Sequence, residues 1–204
     1  RNPGGRVGGR GKSASHCGRG SGRHHEPRRD RWALLQPAAR HRRVEGESAR
    51  TAEIDRVLNT YFDMDSITRF SAGQYWRAAS SEQKTEYGSL FREVLCGKIV
   101  RNFDQLQGLA YTADAATAKG DKFVIVSGTF TDTTGKRPAV KVNWRVLTRE
   151  GAAPKVFDIE IENLSLLLTQ KQENVAVIRK NKGEFVALIN AMKERLANPV
   201  HNDS

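Results

Sequence analysis

The stretch from Val156 to Leu168 is the part of the sequence that most constrains the fold. From Val156 to Ile161, apolar and acidic side chains alternate. This is the period-two pattern of a strand with one dry face and one wet face. A run of leucines around Ser165 follows at once and leads into a helical pattern. Because that run contains apolar side chains and one hydroxyl rather than catalytic groups, it indicates a domain that holds something apolar.

The net charge of +11 is concentrated at the start of the chain. Residues 1–50 contain 13 Lys and Arg against 4 Asp and Glu, and half of the 18 glycines. Their sizeable apolar residues form one small cluster around Trp32, so the segment cannot bury enough surface to offset its chain entropy. We predict a disordered Arg/Gly-rich arm over 1–50, one folded domain over 51–198 and a tail over 199–204. The sequence contains no run of about 18 apolar residues, so we predict no membrane-spanning helix. We also find no secretory signal pattern in the first residues.

Periodicity predicts an α+β fold. Apolar residues at helical spacing predict helices over 52–61, 63–70, 81–106, 165–180 and 184–196. Ser80 followed by Gln83 is a capping-box signature at the start of the long third helix. Period-two alternation predicts four strands, over 109–118, 122–131, 139–148 and 155–162. We expect helices packed on one face of a four-stranded antiparallel meander.

No constellation of residues predicts catalysis or a metal. Asp63 and Asp65 stand where carboxylates cap a helix. Asp158, Glu160 and Glu162 are joined by no His or Cys of the folded part. The loose cluster of His16, Cys17, His24 and His25 lacks metal-ligand spacing, and Cys96 is expected to be a small buried hydrophobe. The sequence therefore predicts a protein that is not an enzyme and has no cofactor and no metal.

Three motifs resemble one known family. These are Phe62–Arg69 followed by Gly73–Arg77, Ser80–Gln83 leading to Phe91, and Phe157–Leu166. Together they are similar to the MlaC-type, or toluene-tolerance, auxiliary proteins of lipid ABC transporters, and the resemblance covers about 54–196. The run Leu167-Leu168-Thr169-Gln170 also resembles HpnM, the subgroup associated with hopanoid biosynthesis.

The resemblance implies a soluble periplasmic lipid carrier. Such a protein holds the acyl chains of a phospholipid or hopanoid-type lipid in an apolar cavity between sheet and helices. It would shuttle them between an inner-membrane ABC transporter complex and an outer-membrane lipoprotein complex, a pathway that maintains outer-membrane lipid asymmetry, and we expect a monomer. Family members begin with a signal peptide and an apolar helix. We interpret residues 1–50 either as a genuine basic tail or as that helix read in a shifted frame.

The large apolar residues of the long helix, the strands and the leucine run can form either an ordinary core or the lining of a lipid slot. The resemblance favours a lining role for ten of them. They are Leu90, Phe91, Val94, Val126, Phe130, Val142, Trp144, Ile159, Leu166 and Leu167. Gly88, Gly97 and Gly183 are candidates for the flexibility that loading requires.

Two other functions remain open at this stage. The first is a small-apolar-ligand binding module or an isomerase-like enzyme on the same scaffold, since fold does not fix function. It would need converging polar groups inside the cavity. The second is nucleic-acid binding through the Arg/Gly pairs of the arm. No aromatic residues are interleaved with those pairs to stack on bases, so we expect no nucleic-acid partner.

Overall fold

The structure is a computed structural model that describes residues 46–199. Within that range the chain forms six α-helices and a 3₁₀ turn at Gly73–Arg77. The helices are α1 Glu47–Tyr61, α2 Met64–Ser71, α3 Ser81–Arg101, α4 Phe103–Leu106, α5 Leu166–Lys180 and α6 Phe185–Ala197. The strands are β1 Leu109–Lys119, β2 Phe123–Asp132, β3 Val140–Leu147, β4 Lys155–Ile161 and β5 Leu164–Ser165. The expectations for residues 1–45 and for the tail from 200 onward lie outside the described residues.

Side-chain caps fix where three of the helices begin. The Asp63 carboxylate accepts a hydrogen bond from the Ser66 amide at the start of α2. Ser80 and Gln83 form the predicted capping box at the start of α3. The Ser165 hydroxyl accepts from the Leu168 amide at the start of α5. Each cap satisfies an amide that has no partner inside its own helix.

The five strands form one antiparallel sheet in the order β1-β2-β3-β4-β5. Helices α1, α2 and α5 all contact β4, and Phe62, just after α1, pairs with Val156 of β4 in an isolated bridge. The ring of Phe157 lies between Phe70 of α2 and Phe123 of β2, with ring centroids 5.5 and 5.8 Å apart. The sheet is therefore joined to the helices chiefly along β4.

The prediction of an α+β fold is confirmed, but two details of it were wrong. The sheet has five strands rather than four, because Leu164 and Ser165 pair with Ile161 and Glu160 before α5 begins. The long helix predicted over 81–106 is two helices, since Asn102 interrupts it with φ −94° and ψ 9°. Both features are too short to appear as periodicity in a sequence.

The largest group of buried side chains, here called the helical core, joins α2, the 3₁₀ turn, α3, α5 and α6. Its members are Ile67, Ala72, Ala79, Tyr87, Phe91, Leu167, Ile178, Phe185, Leu188, Ile189 and Met192. A smaller cluster of Ile54, Leu58 and Cys96 joins α1 to α3. Cys96 is a free, buried thiol, and burial raises its pKa, as expected of a small hydrophobe rather than a reactive nucleophile.

Candidate functional site

One face of the sheet collects apolar side chains from all four long strands, and we call it the aromatic face. Residues directly opposite each other on antiparallel strands project to the same side. The register pairs Tyr111 with Phe130, Gly128 with Val142, Val126 with Trp144, and Trp144 with Ile159. These seven residues therefore share one face, while Arg145 alternates to the other.

The three rings of the aromatic face pack on one another. Tyr111 lies 5.0 Å from Phe130 and 6.0 Å from Trp144 between ring centroids, and Phe130 lies 6.4 Å from Trp144. All three are partly buried. The valines beside them are deeper, with Val126 6% and Val142 2% exposed. The two contacts of Trp144 are edge-to-face, a geometry that adds stability beyond simple burial.

Two polar atoms on the aromatic face are buried without a hydrogen-bond partner in the described part of the chain, namely Tyr111 Oη and Trp144 Nε1. Burial raises the pKa of Tyr111, so the hydroxyl keeps its proton at neutral pH. The Trp144 N–H is near enough to oppose that rise, but the two groups do not meet the geometry of a hydrogen bond.

Gly128 explains how Tyr111 reaches this position. A Cβ atom built on Gly128 would overlap the Tyr111 ring and its hydroxyl. The tyrosine of the edge strand therefore lies across β2 at the one point where no side chain blocks it.

The ten predicted lining residues fall into three places. Five of them, Val126, Phe130, Val142, Trp144 and Ile159, are on the aromatic face. Phe91 and Leu167 are buried in the helical core, and Leu90 and Val94 pack against it. Leu166 is 43% exposed at the start of α5. The structure thus brings the five sheet residues together and separates them from the four that lie in the helical core.

Sequence reasoning missed Tyr111, which belongs to the aromatic face. The alternation Leu109, Tyr111, Ala113 carries the signal for it, but β1 is rich in alanine and threonine and reads as a weak strand. A bulge between Ala113 and Ala115 then breaks the alternation. The pairing of Tyr111 with Phe130 becomes visible only through the register.

Two concavities open elsewhere on the surface. A groove of about 950 Å³ runs between α1 and α3, lined in part by Asp55, Arg92 and Cys96. A hollow of about 350 Å³ lies where β4 and β5 meet α5, with Phe157 and Leu168 among its lining residues. Neither is lined by residues of the aromatic face.

Asp158, which lines the hollow, acts as an anchor for the start of α5. Its carboxylate accepts hydrogen bonds from the Ser165 hydroxyl at 2.7 Å and from the amides of Ile159 and Leu167 at 2.8 and 3.1 Å. A carboxylate whose oxygens are committed in this way holds the helix start in place.

Residues 46–199 contain no group of three His, Cys, Asp or Glu side chains arranged to hold a metal ion. In the same part of the chain, no helix is both long and apolar enough to cross a bilayer. The histidines and the cysteine of the arm lie outside the described residues.

Comparison with known proteins adds a family and a fold. One similar solved structure is the phospholipid-binding protein from Ralstonia solanacearum in complex with a phospholipid. It is 23% identical, with a TM-score of 0.62, and the match covers 72% of this chain and 82% of that chain. A likeness at that identity shows a shared fold. No curated protein matches the chain. The family model for the MlaC protein matches residues 35–194, and because this is well over half of its length, the chain belongs to the MlaC family.

Proposed function

We propose that this protein binds lipid acyl chains against the aromatic face and carries them between membrane transport complexes in the periplasm. Membership of the MlaC family supports a lipid carrier rather than an enzyme, and a structural relative was solved with a phospholipid bound. The observation that carries the proposal is the apolar surface shared by four strands, where Tyr111, Phe130 and Trp144 remain only partly covered.

The energy for binding comes from removing hydrocarbon from water. Each buried methylene is worth about 0.8 kcal/mol, so one long acyl chain can contribute roughly 10 kcal/mol without directional contacts. An empty slot of comparable size would be costly in a close-packed interior. A carrier without its lipid is therefore expected to narrow the slot.

Loading then requires the packed rings of the aromatic face to move apart. On this proposal Leu90, Phe91, Val94 and Leu167 meet the lipid only when the helical core opens, whereas Leu166 stands at the rim. Transfer needs no covalent step, because the chains pass between apolar environments of similar polarity. We predict that the lipid is a phospholipid or a hopanoid-type lipid. We also predict that the protein docks on the inner-membrane and outer-membrane complexes and that it is a monomer.

The test is a pair of blocking variants in the full-length protein. Ile159→Trp adds bulk to the aromatic face at a partly buried position, and Leu168→Trp adds it in the hollow beside α5, where Leu168 is 46% exposed. Leu106→Trp, at a 51% exposed position of α4, is the matched control. Co-purified lipid is measured by native mass spectrometry, and uptake is measured from vesicles with labelled phospholipid.

We expect Ile159→Trp to lower bound lipid at least tenfold, with Leu168→Trp and Leu106→Trp close to the parent protein. Loss in Leu168→Trp alone would move the site to the hollow. If the parent protein carries no lipid from cells and takes up none from vesicles, the proposed function is wrong.

A further inference from the structure

The two unpartnered polar atoms of the aromatic face are an exception within the described part of the molecule. Tyr111 Oη and Trp144 Nε1 are the buried side-chain nitrogen and oxygen atoms there that lack a partner. By contrast, the buried polar atoms of Ser71, Tyr87 and Asn174 between the helices are joined in a network of hydrogen bonds. Leaving a buried polar group unpaired is costly, so a pair of them on one apolar face calls for a physical reason.

The position of the two atoms points to a shared ligand. Tyr111 reaches from the edge strand across Gly128 to Trp144, and the two rings meet edge to face at 89°. An indole N–H can only donate, and a protonated phenol can donate as well. Two donors on one face match one acceptor oxygen, which has two lone pairs.

The surroundings favour an uncharged acceptor. Arg145, the charged neighbour of Trp144, alternates to the opposite face of the sheet and pairs with Glu160 at 2.9 Å. A phosphate placed among Phe130, Val126 and Val142 would be buried without a cation, which is strongly unfavourable. The carbonyl oxygen of an acyl ester is uncharged and is attached directly to a long hydrocarbon chain.

We propose that Tyr111 and Trp144 form a polar anchor that donates hydrogen bonds to the ester carbonyl of a bound acyl lipid. The inference rests on the proposed function and narrows it to acyl-ester lipids in preference to hydrocarbons. Tyr111 lies over Gly128, and within the described residues neither donor has an acceptor. The ester carbonyl would accept hydrogen bonds from both donors, so a lipid that supplies this acceptor should bind more tightly than one that does not.

The experiment compares two probes on the delipidated full-length protein. The first is a diacyl phosphatidylglycerol, and the second is its dialkyl ether analogue with the same head group and chain lengths, which lacks the carbonyls. The variants Tyr111→Phe and Trp144→Phe each remove one donor and keep the ring. Phe130→Leu changes the same face without touching a donor and is the control.

We expect the parent protein to bind the ester lipid about fivefold more tightly than the ether, from one to two hydrogen bonds. Each donor variant should bring that ratio toward one, because it removes a hydrogen bond that only the ester carbonyl accepts. Phe130→Leu should weaken both lipids equally and keep the ratio. A parent protein that binds both probes equally well, or a ratio that survives in both donor variants, would overturn the anchor while leaving the carrier function standing.

A second measurement uses the parent protein and therefore does not depend on how well a variant folds. The indole N–H proton of Trp144, one of three tryptophans, should move downfield in the NMR spectrum when the ester lipid binds and stay in place with the ether. An unmoved resonance with ester lipid bound overturns the anchor. Binding of neither probe overturns the anchor and, with it, the phospholipid form of the carrier function.

Discussion

The helical core and the aromatic face differ in how completely the chain covers them. In the helical core, Tyr87, Ile178, Leu188 and Met192 are all 0% exposed, and the buried hydroxyl of Tyr87 is bonded to Ser71 and Asn174 at 2.7 and 2.9 Å. On the aromatic face, three rings are partly exposed and two buried polar atoms have no partner within the described residues. The helical core is complete without a ligand, whereas the aromatic face is the surface that a ligand would complete.

The largest effect is expected where the helical core is tightest. Leu188→Ala should lower the free energy of unfolding by about 3 kcal/mol, because a fully buried leucine leaves a cavity. Ile159→Ala on the aromatic face should cost about 1 kcal/mol, since that side chain is only partly buried. Urea denaturation of delipidated protein measures both. Equal losses would remove the distinction between the two regions.

The buried polar network should give the next largest effect. Asn174 is 0% exposed and donates to the Ser71 carbonyl and to the Tyr87 hydroxyl. Asn174→Ala should therefore cost about 2 kcal/mol, because the buried Ser71 carbonyl loses this donor and the Tyr87 hydroxyl keeps only its bond to Ser71. Asn181→Ala removes a comparable amide-to-carbonyl bond at an exposed helix end and should stay within about 0.5 kcal/mol. A similar cost at both positions would mean that the network adds nothing to the helical core.

Gly128 tests whether the position of Tyr111 on the aromatic face is specified. Gly128→Ala should cost about 1.5 kcal/mol by overpacking against the Tyr111 ring. Adding Tyr111→Ala should recover most of that loss, so a double-mutant cycle should show coupling of about 1 kcal/mol. Strictly additive losses would indicate that Tyr111 does not lie over Gly128 in solution.

The smallest effect concerns an ion pair that ties α2 to the loop after β3. Arg149 donates to the Asp63 carboxylate at 2.7 Å. Burial works against the charge of Asp63, but hydrogen bonds from Ser66 and Arg149 outweigh it and hold the pKa of Asp63 below its ordinary value of 3.8. A lowered pKa contributes stability above pH 3.8 that is lost as the pH falls through the folded-state value.

Because the Arg149 side chain is 54% exposed, that contribution should be about 0.5 kcal/mol. Urea unfolding of the parent protein and of Arg149→Gln at pH 6 and pH 2.5 measures it. The difference between the two proteins should be present at pH 6 and smaller at pH 2.5. A difference that grows on acidification would contradict the assigned partner.

Helices and strands that are specified by neighbouring residues were predicted well from the sequence. Features that depend on a single backbone angle or on strand pairing were not. The Ser80–Gln83 capping box and the alternation before Ile161 could be read directly because their causes are neighbours in sequence. The break at Asn102 and the two-residue strand at Leu164 depend on single backbone angles or on one pair of ladder bonds. Periodicity cannot show features of that size.

The candidate site was predicted in part, for a related reason. Alternation along a strand determines the face of the sheet to which each side chain points. It therefore placed Val126, Val142 and Trp144 on one face. Whether a buried helix residue faces the sheet or another helix depends on tertiary packing, so sequence reasoning could not separate Phe91 of the helical core from the sheet set. Tyr111 was missed because the bulge beside Asp114 hides its strand's alternation.

Because the sheet contacts the helices chiefly along β4, the strands differ in how far they can move relative to the helices. While α1, α2 and α5 contact β4, β1 is the edge strand on the far side of β2 and β3. A small rotation about β4 moves Tyr111 farther than any residue of β3 or β4. The Tyr111 ring that covers Gly128 therefore belongs to the strand farthest from the helix contacts. We expect backbone amide hydrogen exchange to slow steadily from β1 to β4.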